Sequence, residues 1–343
     1  MATRMKDIAE DLGLSVVTVS KVLRDHPDIP EQTRKRVLKR VKELDYQPNV
    51  LARSLVTGRS YLVGLIVPDL LHPFFAQVAK ALSTAIRQKG YSLIVSSSEE
   101  DAEWERSEIR QLLGRRLDAL VIASTDASPE QFERMQRKRE LFVLIDRNFP
   151  GIAANFVGVD DEAAGRIATE HLLDIGCRHV AHIRGRDNST GMGRFEGYRK
   201  ALAKRSLPVK DDYVVSRSRV DNNSMEQGAE AMRLLLRRNP RPDGVFCYND
   251  PLAMGALNAI IEAHLRVPED IAVIGCGNLL YDDCLRVGLS SIDQRSTQIG
   301  ELAAEILLSL IESKKMPKVR QCILEPALVI RPSTMRNRAA TEP

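Results

Sequence analysis

The sequence predicts an all-α N-terminal headpiece followed by an α/β core of two lobes, each a parallel sheet with helices on both faces. Three observations carry this. Residues 1–55 repeat apolar side chains at helical spacing, with basic residues between them. From Tyr61 the pattern changes to short apolar runs that alternate with amphipathic helices, the order of a parallel sheet. That alternation falls into two series of similar size.

The headpiece comes first. Met5, Ile8, Ala9 and Leu12 recur at helical spacing, with Thr3 as the expected N-cap. Gly13 makes a turn where positive φ costs glycine least. In the stretch Ser15 to Leu23, Ser15 sits where an N-cap belongs, and Val19, Val22 and Leu23 face inward. Val16, Val17, Ser20 and Lys21 are left outward, close to the helix start. Two short helices joined by a tight glycine turn form a helix-turn-helix, whose second helix enters the major groove. Two ordinary helices of a small bundle would show the same spacing. Pro30 opens a third helix to about Leu44, with Val37, Leu38, Val41 and Leu44 on one face. Its other face carries Arg34, Lys35, Lys39, Arg40 and Lys42.

Thr3, Asp7-Ile8-Ala9, Gly13-Leu14-Ser15, Thr18 to Leu23, Thr33-Arg34, Tyr46 to Asn49 and Ala52 to Leu55 together resemble the headpiece of the lactose-repressor (LacI/GalR) family of bacterial transcription regulators. The resemblance extends over nearly all 343 residues. It implies a helix-turn-helix domain at 1–47, a hinge helix and linker at 48–60, and a core with the periplasmic sugar-binding-protein fold. On that pattern the chain crosses between lobes near Asp160, Ile292 and Glu325. The first lobe is then 61–160 with 292–324, and the second 161–291 with 325–343.

The resemblance also implies DNA-reading residues. Val16 and Val17 occupy two base-edge positions, suited to thymine methyls, and Lys21 a third, able to donate to guanine. Thr3, Ser15, Thr18, Ser20 and Thr33 are expected near the duplex, chiefly at phosphates, with Arg34 beside them. Asn49, Ala52, Arg53 and Leu55 belong to the hinge helix, which alone is too short to be stable. It is expected to fold on DNA against its dimer mate, with Leu55 wedged between base steps of the minor groove. An exposed linker leucine is the alternative.

Charge is distributed to match. Residues 1–60 hold 12 Lys/Arg and 8 Asp/Glu, leaving 38 of each in the rest of the chain. The whole formal excess of +4 therefore sits on the headpiece, a modest footprint for a phosphate backbone. No apolar run reaches the ~20 residues of a membrane span, and Met1 to Asp7 lacks the apolar stretch of a secretory signal. Five cysteines without paired or metal-ligand spacing are expected to be buried, reduced thiols in the cytoplasm. No cofactor is expected. Met335 to Pro343 carries no leucine heptad, so a homodimer is expected rather than a tetramer.

In the core, Leu62–Val67 is a continuous apolar run, as in a strand buried on both faces. Strands are expected again at 91–95, 119–123, 141–145, 156–159, 180–183, 245–248 and 271–274, with helices between them. A ligand of such a fold sits at the strand C-termini. The resemblance places a sugar-like effector there, against Asp69, Phe74, Arg147, Thr190, Arg194, Asp250 and Asn278. Phe75 is expected in the core, and Asp160, Asp161 and His171 as caps or surface groups. One departure concerns Gly275-Cys276-Gly277-Asn278, where the family commonly carries Gly-aromatic-Asp. Gly277 stands at the acidic position, and the room it leaves suggests a larger saccharide.

Together these readings give a cytoplasmic, dimeric, ligand-responsive repressor of a near-palindromic operator. A transport binding protein shares the two-lobed core but not the headpiece. A nucleotide-using enzyme is suggested only by Gly191, Gly193 and Gly197, at the wrong spacing for a dinucleotide loop. No Ser/His/Asp or metal constellation supports catalysis.

Overall fold

Ile8, Ala9, Val19, Val22 and Val37 close a small core from three helices, α1 (Met5–Leu12), α2 (Val16–Leu23) and α3 (Glu31–Glu43). Gly13 takes φ +65° between the first two. The α2 cap is as expected: the Thr18 N–H donates to Ser15 Oγ at 3.0 Å. At α1 the cap position falls on Arg4, whose N–H donates to Asp7 Oδ2 at 2.8 Å. Leu38 departs from expectation and is 47% exposed, because Val37, Val41 and Leu44 already span the inward face of α3.

The computed structural model describes residues 4–23, 26–46, 54, 58–126, 128–217, 221, 223–313 and 317–336. They divide into two units, Met1–Ser60 and Tyr61–Pro343.

The second unit begins with β1 (Leu62–Val67), α4 (Pro73–Arg87), β2 (Ser92–Ser97), α5 (Ala102–Gly114), β3 (Ala119–Ile122), α6 (Glu130–Arg137), β4 (Phe142–Ile145) and β5 (Phe156–Val159). It continues with α7 (Asp161–Asp174), β6 (Val180–Arg184), α8 (Ser189–Lys204), β7 (Val214–Ser216), α9 (Ser224–Leu236), β8 (Gly244–Cys247), α10 (Asp250–Glu262), β9 (Ala272–Cys276) and β10 (Ser290–Asp293). It closes with α11 (Ser296–Glu312), β11 (Gln321–Leu324) and β12 (Ala327–Val329).

These strands make two six-stranded sheets, β11-β5-β4-β3-β1-β2 and β12-β10-β9-β8-β6-β7. Every pairing is parallel except β12 against β10. The central strands are buried throughout, as sheets covered on both faces require. The chain passes from the first sheet to the second after β5, back after β10, and across again between β11 and β12. β10 pairs with β9 up to Cys276–Ile292, so a division at 291/292 cuts through this strand. α11 returns to the first lobe, where Ile299, Ala303, Ala304 and Leu307 pack with Phe74, Val78 and Leu82 of α4.

The spaced glycines of α8 serve a helix crossing. A Cβ on Gly197 would lie 2.1 Å from the Glu162 carbonyl, and one on Gly165 2.0 Å from the Arg194 carbonyl. Only glycines let α7 and α8 approach so closely. The five cysteines are free, but Cys284 is exposed and Cys322 half-buried, against the expectation of buried thiols. Both lie outside the sheet interiors, Cys322 on the edge strand β11.

Candidate functional site

In the first unit, α2 presents its start to solvent. Val16 and Val17 are 44% and 63% exposed, while Val19 and Val22 anchor the opposite face. An exposed valine pair on a helix held by two buried valines leaves an apolar edge open to solvent rather than a core surface. Lys21 lies on the same side, 3.8 Å from Asp28, a surface pair of little energetic weight. Ser15 Oγ and Thr18 Oγ1 are 2.8 Å apart at the helix N-terminus, where backbone N–H groups favour an anion.

The basic face of α3 is less available than its composition suggests. Arg34 donates to the His26 carbonyl at 2.9 Å, Arg36 to the Leu12 carbonyl, and Arg40 to Asp11 at 2.6 Å. Three arginines therefore tie α3 to its neighbours, while Lys35 and Lys39 stay highly exposed. Thr33 is half-buried on this helix. Thr3, Asn49, Ala52, Arg53 and Leu55 lie outside the described residues.

In the second unit the strand C-termini of both sheets face one cleft, which contacts from both lobes bridge. Arg147 follows β4; its Nη2 donates to Asp221, which follows β7 of the other sheet. Its Nη1 donates to the Ser124 carbonyl at 3.1 Å, and its Nε lies 3.5 Å from Asp146. His72 Nε2 lies 3.3 Å from Asn249 Nδ2 and 3.8 Å from Asp221 Oδ1. The Asn148 N–H donates to Ser189 Oγ at 3.0 Å, and Arg186 Nη1 lies 3.7 Å from Glu100. Burial lowers the His72 pKa, keeping the ring neutral. Burial also raises Asp146, whereas Arg147 and His72 hold Asp221 low despite its burial.

The floor of the second lobe is fixed. Arg194 Nε donates to Asp161 at 2.8 Å and its Nη1 to the Tyr248 carbonyl at 2.6 Å, with the guanidinium 4.5 Å from the Tyr248 ring centre. Burial raises Asp161 to about 6 even against this arginine. Thr190 and Tyr248 share a hydroxyl hydrogen bond of 2.8 Å. Among the described residues no His/Cys/Asp/Glu group can hold a metal ion, and no helix is long and apolar enough to cross a membrane.

Residues 4–49 match the family described as "Bacterial regulatory proteins, lacI family", and residues 60–326 match "Periplasmic binding proteins and sugar binding domain of LacI family". The chain belongs to the LacI family. It is 32% identical to the HTH-type transcriptional repressor PurR of Pectobacterium carotovorum over 92% of both chains. It is 29% identical to the ribose operon repressor of Halalkalibacterium halodurans over 97% of both. The lac repressor dimer bound to operator and the anti-inducer ONPF shares the fold, with a TM-score of 0.85 at 24% identity, covering 98% of this chain and 100% of that one. This LacI-family protein is accordingly a DNA-binding transcriptional repressor and not an enzyme.

Within the LacI-type core, the expected cleft residues divide. Asp69, Arg147, Thr190 and Arg194 lie at the strand ends that face the cleft, all buried. Phe74 is also buried, stacked edge-on at 5.1 Å against Phe75 in the first-lobe core. Asp250 is 0% exposed and its carboxylate is engaged within its own lobe: its Oδ1 accepts from Ser291 Oγ at 2.6 Å and its Oδ2 from the Leu279 N–H. It is a strut beneath the loop after β9 in this conformation. Asn278 accepts from Arg331 at 2.7 Å and borders a groove of about 880 Å³ between α4 and α11, apart from Arg147 and Arg194. The room expected at Gly277 is filled in the direction a side chain would take, since its Cβ would lie 2.6 Å from Asp250 Oδ2. Asp221 was not among the expected site residues. His72 and Asp146 stand beside expected ones. Asp221 follows β7, a three-residue strand without a readable periodicity.

Proposed function

We propose that this repressor acts as a homodimer on a near-palindromic operator, and that a small polyhydroxylated molecule in the interlobe cleft changes its affinity for DNA. The observation that carries the ligand reading is the set of polar contacts joining the lobes at the strand ends, Arg147–Asp221 and Asn148–Ser189 above all. Groups that can bond across a cleft can equally bond a ligand inside it, and a ligand that prefers one lobe spacing shifts the population of that spacing. The ribose operon repressor among the relatives is named for a sugar operon, in keeping with a sugar or oligosaccharide here.

On the headpiece, Val16 and Val17 would contact base edges by apolar packing and Lys21 by hydrogen bonding, with Ser15, Thr18, Ser20, Thr33 and Arg34 at the backbone. Thr3, Asn49, Ala52, Arg53 and Leu55 complete the proposed DNA contacts, Leu55 as a wedge between paired hinge segments. The target is chromosomal DNA, so the proposed compartment is the cytoplasm. Two-fold symmetry of the dimer would be mirrored in the operator.

The test is genome-wide footprinting, followed by gel shifts on the recovered site at several salt concentrations with a panel of mono- and oligosaccharides. Symmetric half-sites, salt-sensitive binding and a ligand-dependent change in affinity are expected. A site without dyad symmetry would remove the dimer reading, and an affinity indifferent to every cleft ligand would remove the effector reading.

A further inference from the structure

We propose that Asp221 occupies the seat of an anionic ligand group, and that the effector is a small polyol bearing a carboxylate or phosphate whose oxygens replace the Asp221 carboxylate on Arg147. This rests on the reading of the cleft as the effector site and names the chemistry of that effector.

The cleft is filled by the protein's own side chains. Asp69, His72, Arg147, Arg194 and Asp221 are all at least nine-tenths buried. A ligand entering there must displace a group, and most groups are anchored within their own lobe. Arg194 is held by Asp161 and the Tyr248 carbonyl. The Asp69 carboxylate accepts from the Leu71 N–H at 2.8 Å. Asp221 differs: among the described residues its side-chain hydrogen bond is to Arg147 of the opposite lobe, and the His72 ring of that same lobe lies 3.8 Å away. It follows β7, the outermost strand of its sheet. It is therefore the group most easily exchanged when the lobes part.

What replaces it is set by what it leaves. Arg147 is a buried guanidinium whose Nη1 is committed to the Ser124 carbonyl and whose Nε faces Asp146. With Asp221 gone, Nη2 has lost its anionic acceptor in a site closed to solvent. A neutral hydroxyl restores the hydrogen bond but not the charge. A carboxylate or phosphate restores both, and these are the groups a guanidinium fork matches. His72 adds a second polar edge: its Nδ1 is buried and has no partner among the described residues. A ligand hydroxyl next to the anionic group can bond there.

The experiment is chemical rescue. Asp221→Ala is expected to melt below the wild type and to regain stability saturably with millimolar acetate or inorganic phosphate. The apparent affinity should be at least tenfold tighter than in the wild type, and the effect absent with chloride at equal ionic strength. Rescue should vanish in the Asp221→Ala/Arg147→Gln double variant. Asp221→Asn serves where the alanine variant fails to fold. Preference for acetate over phosphate, or the reverse, distinguishes a sugar acid from a sugar phosphate. On the wild type, gluconate or glucose 6-phosphate should shift operator binding at concentrations at least tenfold below that for glucose. Acetate and phosphate acting no better than chloride on both variants would overturn the proposal. If neutral sugars then still shift operator binding, the cleft remains the effector site and only its anionic character is lost. Rescue without any ligand effect on operator binding would uphold the anion seat and remove the regulatory reading instead.

Discussion

One backbone amide serves two carboxylates: the Leu279 N–H donates to Asp282 Oδ2 at 2.8 Å and to Asp250 Oδ2 at 3.2 Å. Both acids are wholly buried, and two such groups in one site cannot both ionise without large cost. Burial and the Asp250 charge push Asp282 up to about 9, so it keeps its proton at neutral pH. An acid raised in this way binds its proton more tightly folded than unfolded. Its stabilising contribution is complete below the unfolded value of about 4 and is lost as pH climbs toward about 9. The urea midpoint of the wild type should therefore decline between about pH 6 and pH 9. Asp282→Asn, which keeps a donor in the same place, should flatten that decline; an unchanged slope would remove the shared proton.

Gly277 should resist substitution. Its φ is +151°, and a Cβ would meet Asp250 Oδ2 at 2.6 Å. Gly277→Ala is expected to cost about 1–3 kcal/mol in chemical denaturation, through strain and overpacking. Gly277→Asp should cost more, because a third carboxylate joins the buried pair. Equal stability of the aspartate variant and the wild type would mean that the loop can re-seat.

Two lysines of the headpiece should separate specificity from affinity. Lys21→Ala is expected to lose about 1–3 kcal/mol of discrimination at one operator position. Lys35→Ala should instead weaken all sequences alike and lower the salt slope by about one. Binding to a set of single-base operator variants at two or more salt concentrations tells these apart.

Leu55→Ala should weaken operator binding and reduce DNA bending together, since an inserted side chain unstacks a base step that the bend then exploits. A dissociation constant and a bend angle both equal to the wild type's would return Leu55 to the linker.

Much of this was legible in residue order. The positions Ile8, Val19, Val22 and Val37 announce the headpiece core through helical spacing, and Leu62–Val67 announces a doubly covered strand. What periodicity could not show are elements whose sides are decided by distant partners. β10 reads Ser-Ser-Ile-Asp, a polar string, yet its serines are buried because Thr334, Asp250 and backbone groups satisfy them. The cleft was legible as a set of strand ends, but not the pairings inside it. Asp221 meets Arg147 across 74 positions of sequence. Asp250 had the right residue type in the right turn; Ser291, the Leu279 amide and Asp282 determine which way its carboxylate points.

β11 and β12 are separated by two residues but complete different sheets, β11 beside β5 and β12 beside β10. Neither lobe can acquire its last strand until synthesis has passed about residue 330. A ribosome-bound chain therefore carries two unfinished sheet margins until β11 and β12 have emerged. A premature stop before Gln321 leaves both open, and such fragments are expected to go to proteases and aggregates, not to compete for operator sites.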